Sequence, residues 1–129
     1  MTSVVGTYRL VRAVSRDANG NALPAPYGGH GMGRIVLSAD GRMMAAVCDG
    51  KPGSDGGKRE YGGYCGTYTF DGKQLVTHVD GAPDPSRLGT DQVRGVRFED
   101  GLMVLQPPPR TIDGHEEHRE LYWERISDV

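Results

Sequence analysis

The stretch GTYTFDGKQLVTHV, residues 66–79, decides the fold of this chain. Two short runs of β-branched, aromatic and aliphatic residues flank Asp71-Gly72, a dipeptide that tight hairpin turns prefer because it tolerates positive φ. The same pattern occurs in RIVLSADGRMMAAV, residues 34–47, and in VRFEDGLMVL, residues 96–105. Each of these segments therefore predicts a two-stranded antiparallel hairpin.

Extending the same pattern along the chain predicts eight strands. They cover residues 7–15, 33–38, 42–48, 63–70, 74–79, 92–99, 102–106 and 119–126. No segment carries a sustained helical pattern of apolar residues, although a turn of helix fits at 85–88 or within the polar loop 49–61. Successive hairpins favour an antiparallel meander, and closing it removes two exposed edges. We predict an all-β single domain over residues 1–129, an eight-stranded antiparallel up-and-down β-barrel.

The composition and charge of the chain limit the classes of partner that we expect. Acidic and basic residues are scattered along the chain and sum to a net charge of −2, so there is no basic stripe that would bind a nucleic-acid backbone. No apolar run approaches the 18 residues that a membrane-spanning helix needs, and the N-terminus carries no secretory pattern. We therefore expect a cytoplasmic protein that binds neither nucleic acid nor membrane, and we leave a homodimer open.

Neither cysteines nor histidines are spaced for a metal. Cys48 and Cys65 form no metal-binding motif, and we interpret them as reduced strand residues, leaving a disulfide or a reactive thiol open. His115 and His118 in HEEHRE are three residues apart at a loop-to-strand junction, whereas a zinc-binding helix places its histidines four apart. We expect no metal site, and nothing in the sequence indicates a cofactor.

Short motifs in a fixed order link the chain to a known family. GTYRLV at 6–11 is similar to the Gly-x-Trp opening of lipocalins, with Tyr8 in place of the tryptophan, and SADG, THVDG, GTDQVR and YWER follow in order. Over nearly its whole length the chain resembles the bacterial and fungal lipocalin-like domain proteins. The resemblance implies a barrel whose cavity opens at one end and is closed at the other by Tyr8 and Arg125. It implies a fold and ligand binding, and no particular reaction.

Strand alternation assigns side chains to the interior of such a barrel. In the last strand we expect Arg119, Leu121, Trp123 and Arg125 to face inward. The alternate residues Glu120, Tyr122, Glu124 and Ile126 should face solvent. In the hairpin 63–79 the aromatic face should be the inner one. That register places Tyr64 and Tyr68 inside and turns His78 outward, unless a bulge at the turn reverses it.

Arg94 raises the main question about chemistry, because it shares an otherwise apolar face with Gln92. A buried guanidinium needs a carboxylate or several carbonyls, and Asp91 or Asp80 could be a purely structural partner. Alternatively, Arg94 and Arg119 present donors to an anionic or carbonyl group of a ligand. His30 lies in PYGGHGMGR, a glycine-rich segment without the helix that a phosphate loop requires, and could touch a ligand near the barrel mouth.

We therefore predict that the cavity binds a small, mostly apolar organic ligand. The candidate ligand-binding residues are His30, Tyr64, Tyr68, Gln92, Arg94, Arg119 and Trp123. The alternative is a small cofactor-independent isomerase, cyclase or lyase, with His78, Arg94 and Arg119 as candidate catalytic residues. A third alternative, an interaction module that uses its outer surface, would require an interior filled with side chains.

Overall fold

A computed structural model of the protein describes residues 3–51 and 61–129. Within these residues the chain forms strands joined by short connections, and two single turns of 3-10 helix lie at Pro26–Gly29 and Pro85–Arg87. The strands are β1 Gly6–Arg16, β2 Gly31–Leu37, β3 Arg42–Asp49, β4 Tyr61–Phe70, β5 Gln74–Gly81, β6 Asp91–Glu99, β7 Leu102–Gln106, β8 Arg110–Ile112 and β9 His115–Ser127.

Eight of these strands close into an antiparallel barrel. β1 to β7 pair in chain order, β9 pairs with β7, and β9 also pairs with β1 to complete the circle. The predicted fold class is therefore confirmed. Because of this closure each barrel strand of the described residues has both of its edges paired, and none of these strands leaves an open edge on which another chain could pair.

β8 was missed by the sequence prediction, which left the proline-rich segment 107–117 as a connection. Arg110–Ile112 instead pairs with residues 115–117, the first three residues of β9, and the two strands are joined by a hairpin turn at Asp113-Gly114. Both turn residues have positive φ, 51° and 80°, as the tightest hairpin turns require. The predicted hairpin at Asp100-Gly101 has the same geometry, with φ of 53° and 78°.

The hairpin of β4 and β5 has the predicted faces but not the predicted register. A two-residue turn at Asp71-Gly72 would pair Phe70 with Lys73, whereas Phe70 pairs with Leu75 and Tyr68 with Thr77. The shift is two residues, so the aromatic face is still the inner one. A bulge does occur, but it lies between Cys65 and Gly66 and not at the turn. A Cβ built at Gly66 would lie 1.9 Å from the backbone oxygen of His78, so this close approach of two strands requires glycine.

The inward side chains form one apolar core. Its buried members are Val4, Tyr8, Leu10, Ile35, Leu37, Met43, Val47, Leu75, Met103, Leu105 and Trp123. Tyr122 corrects the prediction for the outer face of β9. It is only 6% exposed, because Arg12 packs its guanidinium 3.8 Å from the centre of the ring and Arg97 donates to the hydroxyl at 3.2 Å.

One end of the barrel is closed by Tyr8 and Arg125, as the family resemblance implied. The Tyr8 hydroxyl donates to the backbone oxygen of Val4 at 2.8 Å and accepts from Arg125 Nη2 at 2.7 Å. The same Arg125 nitrogen donates to the backbone oxygen of Ser3 at 2.7 Å. Tyrosine thus replaces the tryptophan of larger lipocalins by adding a hydroxyl that ties the N-terminal segment to β9.

The structure also decides two further features of the sequence. Cys48 and Cys65 are half-buried and do not form a disulfide; Cys48 pairs with Tyr61 in the sheet, four residues along β4 from Cys65. The turn of helix expected at 85–88 is present, capped by Asp84, whereas most of the loop 49–61 lies outside the described residues. Across the described ranges, no helix has the length and apolar character needed to span a membrane.

Candidate functional site

A cavity of about 280 Å³ lies inside the barrel, towards the end opposite Tyr8 and Arg125. Its apolar wall comes from inward residues of β2, β3, β7 and β9, among them Ile35, Val47, Leu105, Leu121 and Trp123. Its mouth is bordered by the connections after β1, β5 and β7, which contribute Tyr27, Arg87 and Pro107 respectively. An apolar chamber with a few polar groups at its opening is the usual form of a small-molecule site.

The described part of the cavity wall includes four of the seven predicted ligand-binding residues. These are Tyr64, Arg94, Arg119 and Trp123. They come from β4, β6 and β9, which are not neighbours in the sheet, so their side chains reach the same cavity from separate parts of the barrel wall. Their contact with a ligand stays a prediction, but their position on one cavity is a feature of the fold.

Tyr68 and Gln92 do not line this cavity. The Tyr68 hydroxyl donates to the backbone oxygen of Ser38 at 2.7 Å, and burial raises the pKa of the phenol above its usual range. The Gln92 amide donates to Thr90 Oγ1 at 3.0 Å, and its oxygen accepts from Arg94 at 3.2 Å. Tyr68 is therefore a structural residue, and Gln92 acts on the site only by orienting Arg94.

The two histidines considered for ligand contact or proton transfer lie outside the cavity. His78 is exposed on the outer face of β5, where its Nδ1 lies 3.0 Å from Asp91 Oδ1. The alternation of β5 forces this position, since Thr77 and Val79 occupy the inner face. His30 is exposed after the turn Pro26–Gly29. The predicted roles of His30 and His78 in the site therefore have no geometric support.

Tyr27 occupies the place that the sequence analysis gave to His30. It is a non-glycine residue with φ of 57°, followed by Gly28 and Gly29 with φ of 65° and 76°. This left-handed run is uncommon for a bulky residue, and such strain is often retained at functional sites. The run places Tyr27 at the cavity mouth, where the Arg119 guanidinium lies 5.9 Å from the centre of its ring. The glycine-rich segment predicted that a side chain from this connection lies near the mouth, and that side chain is Tyr27 and not His30.

Glu117 is a second residue near the cavity that the sequence did not predict, and it is an ion-pair partner of Arg119. This carboxylate, whose side chain is 9% exposed, accepts from Arg119 Nε at 3.0 Å, from Arg110 Nε at 2.6 Å and from Ser15 Oγ at 2.6 Å. Burial alone would raise the pKa of Glu117, but the hydrogen bonds and both guanidinium charges outweigh it and hold the pKa below its usual range. Arg119 therefore belongs to a structural ion cluster at the edge of the cavity.

Arg94 differs from Arg119 in its partners. Its guanidinium donates to the neighbouring backbone oxygen of Val93 at 2.9 Å and to Gln92 Oε1 at 3.2 Å. The acids proposed as structural partners are engaged elsewhere: Asp80 binds Arg42 at 2.9 Å, and Asp91 lies against His78. The expectation of a carboxylate partner at Asp80 or Asp91 was therefore wrong.

Tyr64 brings a second arginine next to Arg94. The Arg94 guanidinium lies 5.9 Å from the centre of the Tyr64 ring, and the Arg87 guanidinium lies 5.4 Å from it. Both distances are within the range in which a cation is attracted to an aromatic face. In the described residues, no carboxylate lies within 4 Å of either guanidinium.

Trp123 supplies an unsatisfied donor in the wall. Its side chain is 2% exposed, and its Nε1 is buried with no acceptor among the residues that the structure describes. A buried N–H without a partner costs free energy, so such groups are rare. The cavity itself is lined by an apolar wall and has a cationic mouth.

A larger groove of about 940 Å³ crosses the outer face of β2, β3 and β4. It is floored by exposed side chains such as Met32, Met44 and Tyr61, and it borders residues outside the described ranges. An outer face of this kind encloses a small molecule less completely than the barrel interior, so we place the candidate site in the cavity. Among described residues, no group of His, Cys, Asp and Glu side chains is arranged to hold a metal ion; His118 instead contacts Glu116 at 3.0 Å.

The comparisons with known proteins agree with this architecture. A family model, described as a lipocalin-like domain, matches residues 57–126, more than half of the chain. A comparison with curated proteins gives no match. The match covers β4 to β9 and so includes Tyr64, Arg94, Arg119 and Trp123. With a closed eight-stranded barrel, a Tyr8–Arg125 closure and this match, the chain belongs to the lipocalin-like domain family.

Proposed function

We propose that this lipocalin-like protein binds a small, mostly apolar organic molecule inside the barrel. The observation that carries the proposal is the 280 Å³ cavity, which is walled by Leu105, Leu121 and Trp123 and opens at one end. This volume is at the lower end of the roughly 300–1,000 Å³ of typical ligand sites. A ligand with one or two fused rings, or a short alkyl chain, matches such a space.

The wall supports binding more than proton-transfer catalysis. The described residues of the wall provide tyrosine and arginine as their titratable side chains, while His30 and His78 lie outside it. An isomerase or lyase needs a group that can take a proton within hydrogen-bonding reach of the substrate. The interior is also not packed solid, which argues against a barrel that serves only as an outer interaction surface.

Two alanines on β3 provide a direct test. Ala45 lines the cavity, whereas Ala46 faces the outside of the same strand. We expect Ala45→Phe to fill the cavity and abolish the binding of small aromatic probes by isothermal titration calorimetry, and Ala46→Phe to leave binding unchanged. Equal binding by Ala45→Phe and the unmodified protein would place the site elsewhere.

Native mass spectrometry of the protein purified from its own host tests the same proposal without a chosen probe. A retained organic molecule that is lost from Ala45→Phe and kept by Ala46→Phe would identify the ligand. If neither this experiment nor calorimetry with a panel of apolar probes detects binding, the proposed function is wrong.

A further inference from the structure

The unusual feature of the cavity is the concentration of positive charge at its mouth. Arg87, Arg94, Arg110 and Arg119 all line it, although the whole chain has a net charge of −2. Glu117 bonds to two of these arginines, Arg110 and Arg119, and its single negative charge offsets one of their two positive charges. Arg87 and Arg94 are left without a carboxylate within 4 Å in the described part of the chain.

Arg94 is held in position by groups that do not neutralise it. Thr90 Oγ1 donates to the backbone oxygen of Arg87 at 2.7 Å and accepts from the Gln92 amide at 3.0 Å, and Gln92 Oε1 in turn accepts from Arg94. These uncharged groups form a chain of hydrogen bonds that joins the loop before β6 to the guanidinium. It restricts the rotamers of Arg94 and leaves its positive charge available, which reduces the entropy lost when an anion binds.

The ring of Tyr64 keeps the second guanidinium near the first. Arg87 comes from the turn Pro85–Arg87, and both Arg87 and Arg94 lie within 6 Å of the centre of that ring. Two like charges are thereby kept near one opening at the cost of mutual repulsion, and an anion placed between the apolar wall and the mouth relieves it. Carboxylate and phosphate both match the guanidinium fork, and the carboxylate is the one that brings a single charge into an apolar cavity.

Resting on the proposed function, we infer that the ligand is a monocarboxylate with an apolar body. Its carboxylate binds the Arg94 guanidinium in the field of Arg87, and its body lies against Leu105, Leu121 and Trp123. A single charge suits this position, because every additional ligand charge would have to be desolvated against an apolar wall.

Matched pairs of probes test this inference. We would titrate the protein with benzoate, 2-naphthoate and octanoate, and with benzamide, 2-naphthamide and octanamide, which have nearly the same shape without the charge. We expect at least one carboxylate to bind about tenfold or more tightly than its amide, since hydrogen bonds to charged groups exceed neutral ones by about this factor. Added salt should weaken the binding of the carboxylate and leave the binding of the amide unchanged, because salt screens only the interaction between charges.

Arg94→Gln should reduce the affinity for the carboxylate about tenfold or more and the affinity for the amide much less, so that the preference for the carboxylate disappears. Arg34→Gln is the matched control, because Arg34 makes the same type of bond, from Nη1 to the preceding backbone oxygen of Gly33 at 2.8 Å, but is exposed on the outer face of β2. Circular dichroism of both variants establishes that the barrel is intact. Arg87→Gln should weaken carboxylate binding less than Arg94→Gln.

The outcomes separate the two proposals. If the amides bind as tightly as the carboxylates, or if Arg94→Gln has no effect on carboxylate affinity, the inference is overturned while cavity binding stands. If no member of either set binds, the proposed function fails as well. Binding of a carboxylate that survives Ala45→Phe but is lost in Arg34→Gln would place the anion on the outer face and overturn the inference.

Discussion

The Arg125 guanidinium donates to the Tyr8 hydroxyl at 2.7 Å and lies 5.2 Å from the centre of the Tyr8 ring. One arginine of the last barrel strand thus stabilises an aromatic residue of the first strand by a hydrogen bond and by a cation–π contact. The hydroxyl in turn holds the Val4 carbonyl, so the N-terminal segment is fixed over this end of the barrel.

Tyr8→Phe should lower the free energy of unfolding by about 1–2 kcal/mol, because it removes the acceptor for Arg125 and the donor for Val4 while leaving the ring in the core. Chemical denaturation measures the effect. Tyr61→Phe is the control, since Tyr61 is 70% exposed and its change should stay within about 0.5 kcal/mol. If Tyr8→Phe and Arg125→Met had additive effects in the double variant, the two residues would not act as a pair.

Glu117 predicts a pH-dependent contribution to stability. Because its pKa is lower in the folded protein than the ordinary 4.5, the unfolded chain binds the proton more readily. The contribution is therefore complete above pH 4.5 and is lost as the pH falls through the folded pKa. The melting temperature of the unmodified protein should exceed that of Glu117→Gln at pH 7, by an amount equivalent to about 1–3 kcal/mol, and the difference should shrink below pH 4.5.

Glu124→Gln on the same strand is the control for Glu117. Glu124 pairs with Arg9 at 2.7 Å, but both side chains are nearly half exposed, and exposed pairs contribute little. A pH profile of Glu117→Gln that ran parallel to that of the unmodified protein would show that the cluster with Arg110 and Arg119 does not stabilise the fold.

Gly66→Ala should destabilise the barrel by more than about 2 kcal/mol, because the new Cβ would collide with the His78 backbone oxygen and force β4 away from β5. Gly62→Ala, on the same strand, meets nothing within 4 Å in the described residues and should have a small effect. Thermal unfolding of both variants checks the difference, and equal melting temperatures would contradict the bulge at Cys65 and Gly66.

Trp123 is the only tryptophan of the chain and is 2% exposed, so it reports on the cavity. Its fluorescence should be blue-shifted in the folded protein and poorly quenched by acrylamide. Addition of an aromatic ligand should change this emission in Ala46→Phe and not in Ala45→Phe. Efficient acrylamide quenching of the folded protein would show that solvent reaches the indole and that the wall is not closed.

The barrel could be predicted because its determinants are local. Alternating side chains and Asp-Gly turns fix strand and hairpin over a few residues, and the inward positions of Tyr64, Arg94 and Trp123 follow from the period of two. β8 was missed although Asp113-Gly114 signals a hairpin, because the prolines before it were read as ending the ordered strands. Tyr122 was placed in solvent because alternation does not show that Arg12 and Arg97 cover it.

What the sequence by itself determined is the all-β barrel, the order of its eight barrel strands and most of the residues that face inward. Only the tertiary structure decided which inward groups meet. Closure brings Glu117 to Arg119 and leaves Arg94 with neutral partners, and a left-handed turn places Tyr27 at the mouth in place of His30. The reason is physical: turn and alternation signals act between neighbours in sequence, whereas pairing of charges depends on distances that barrel closure sets between remote strands.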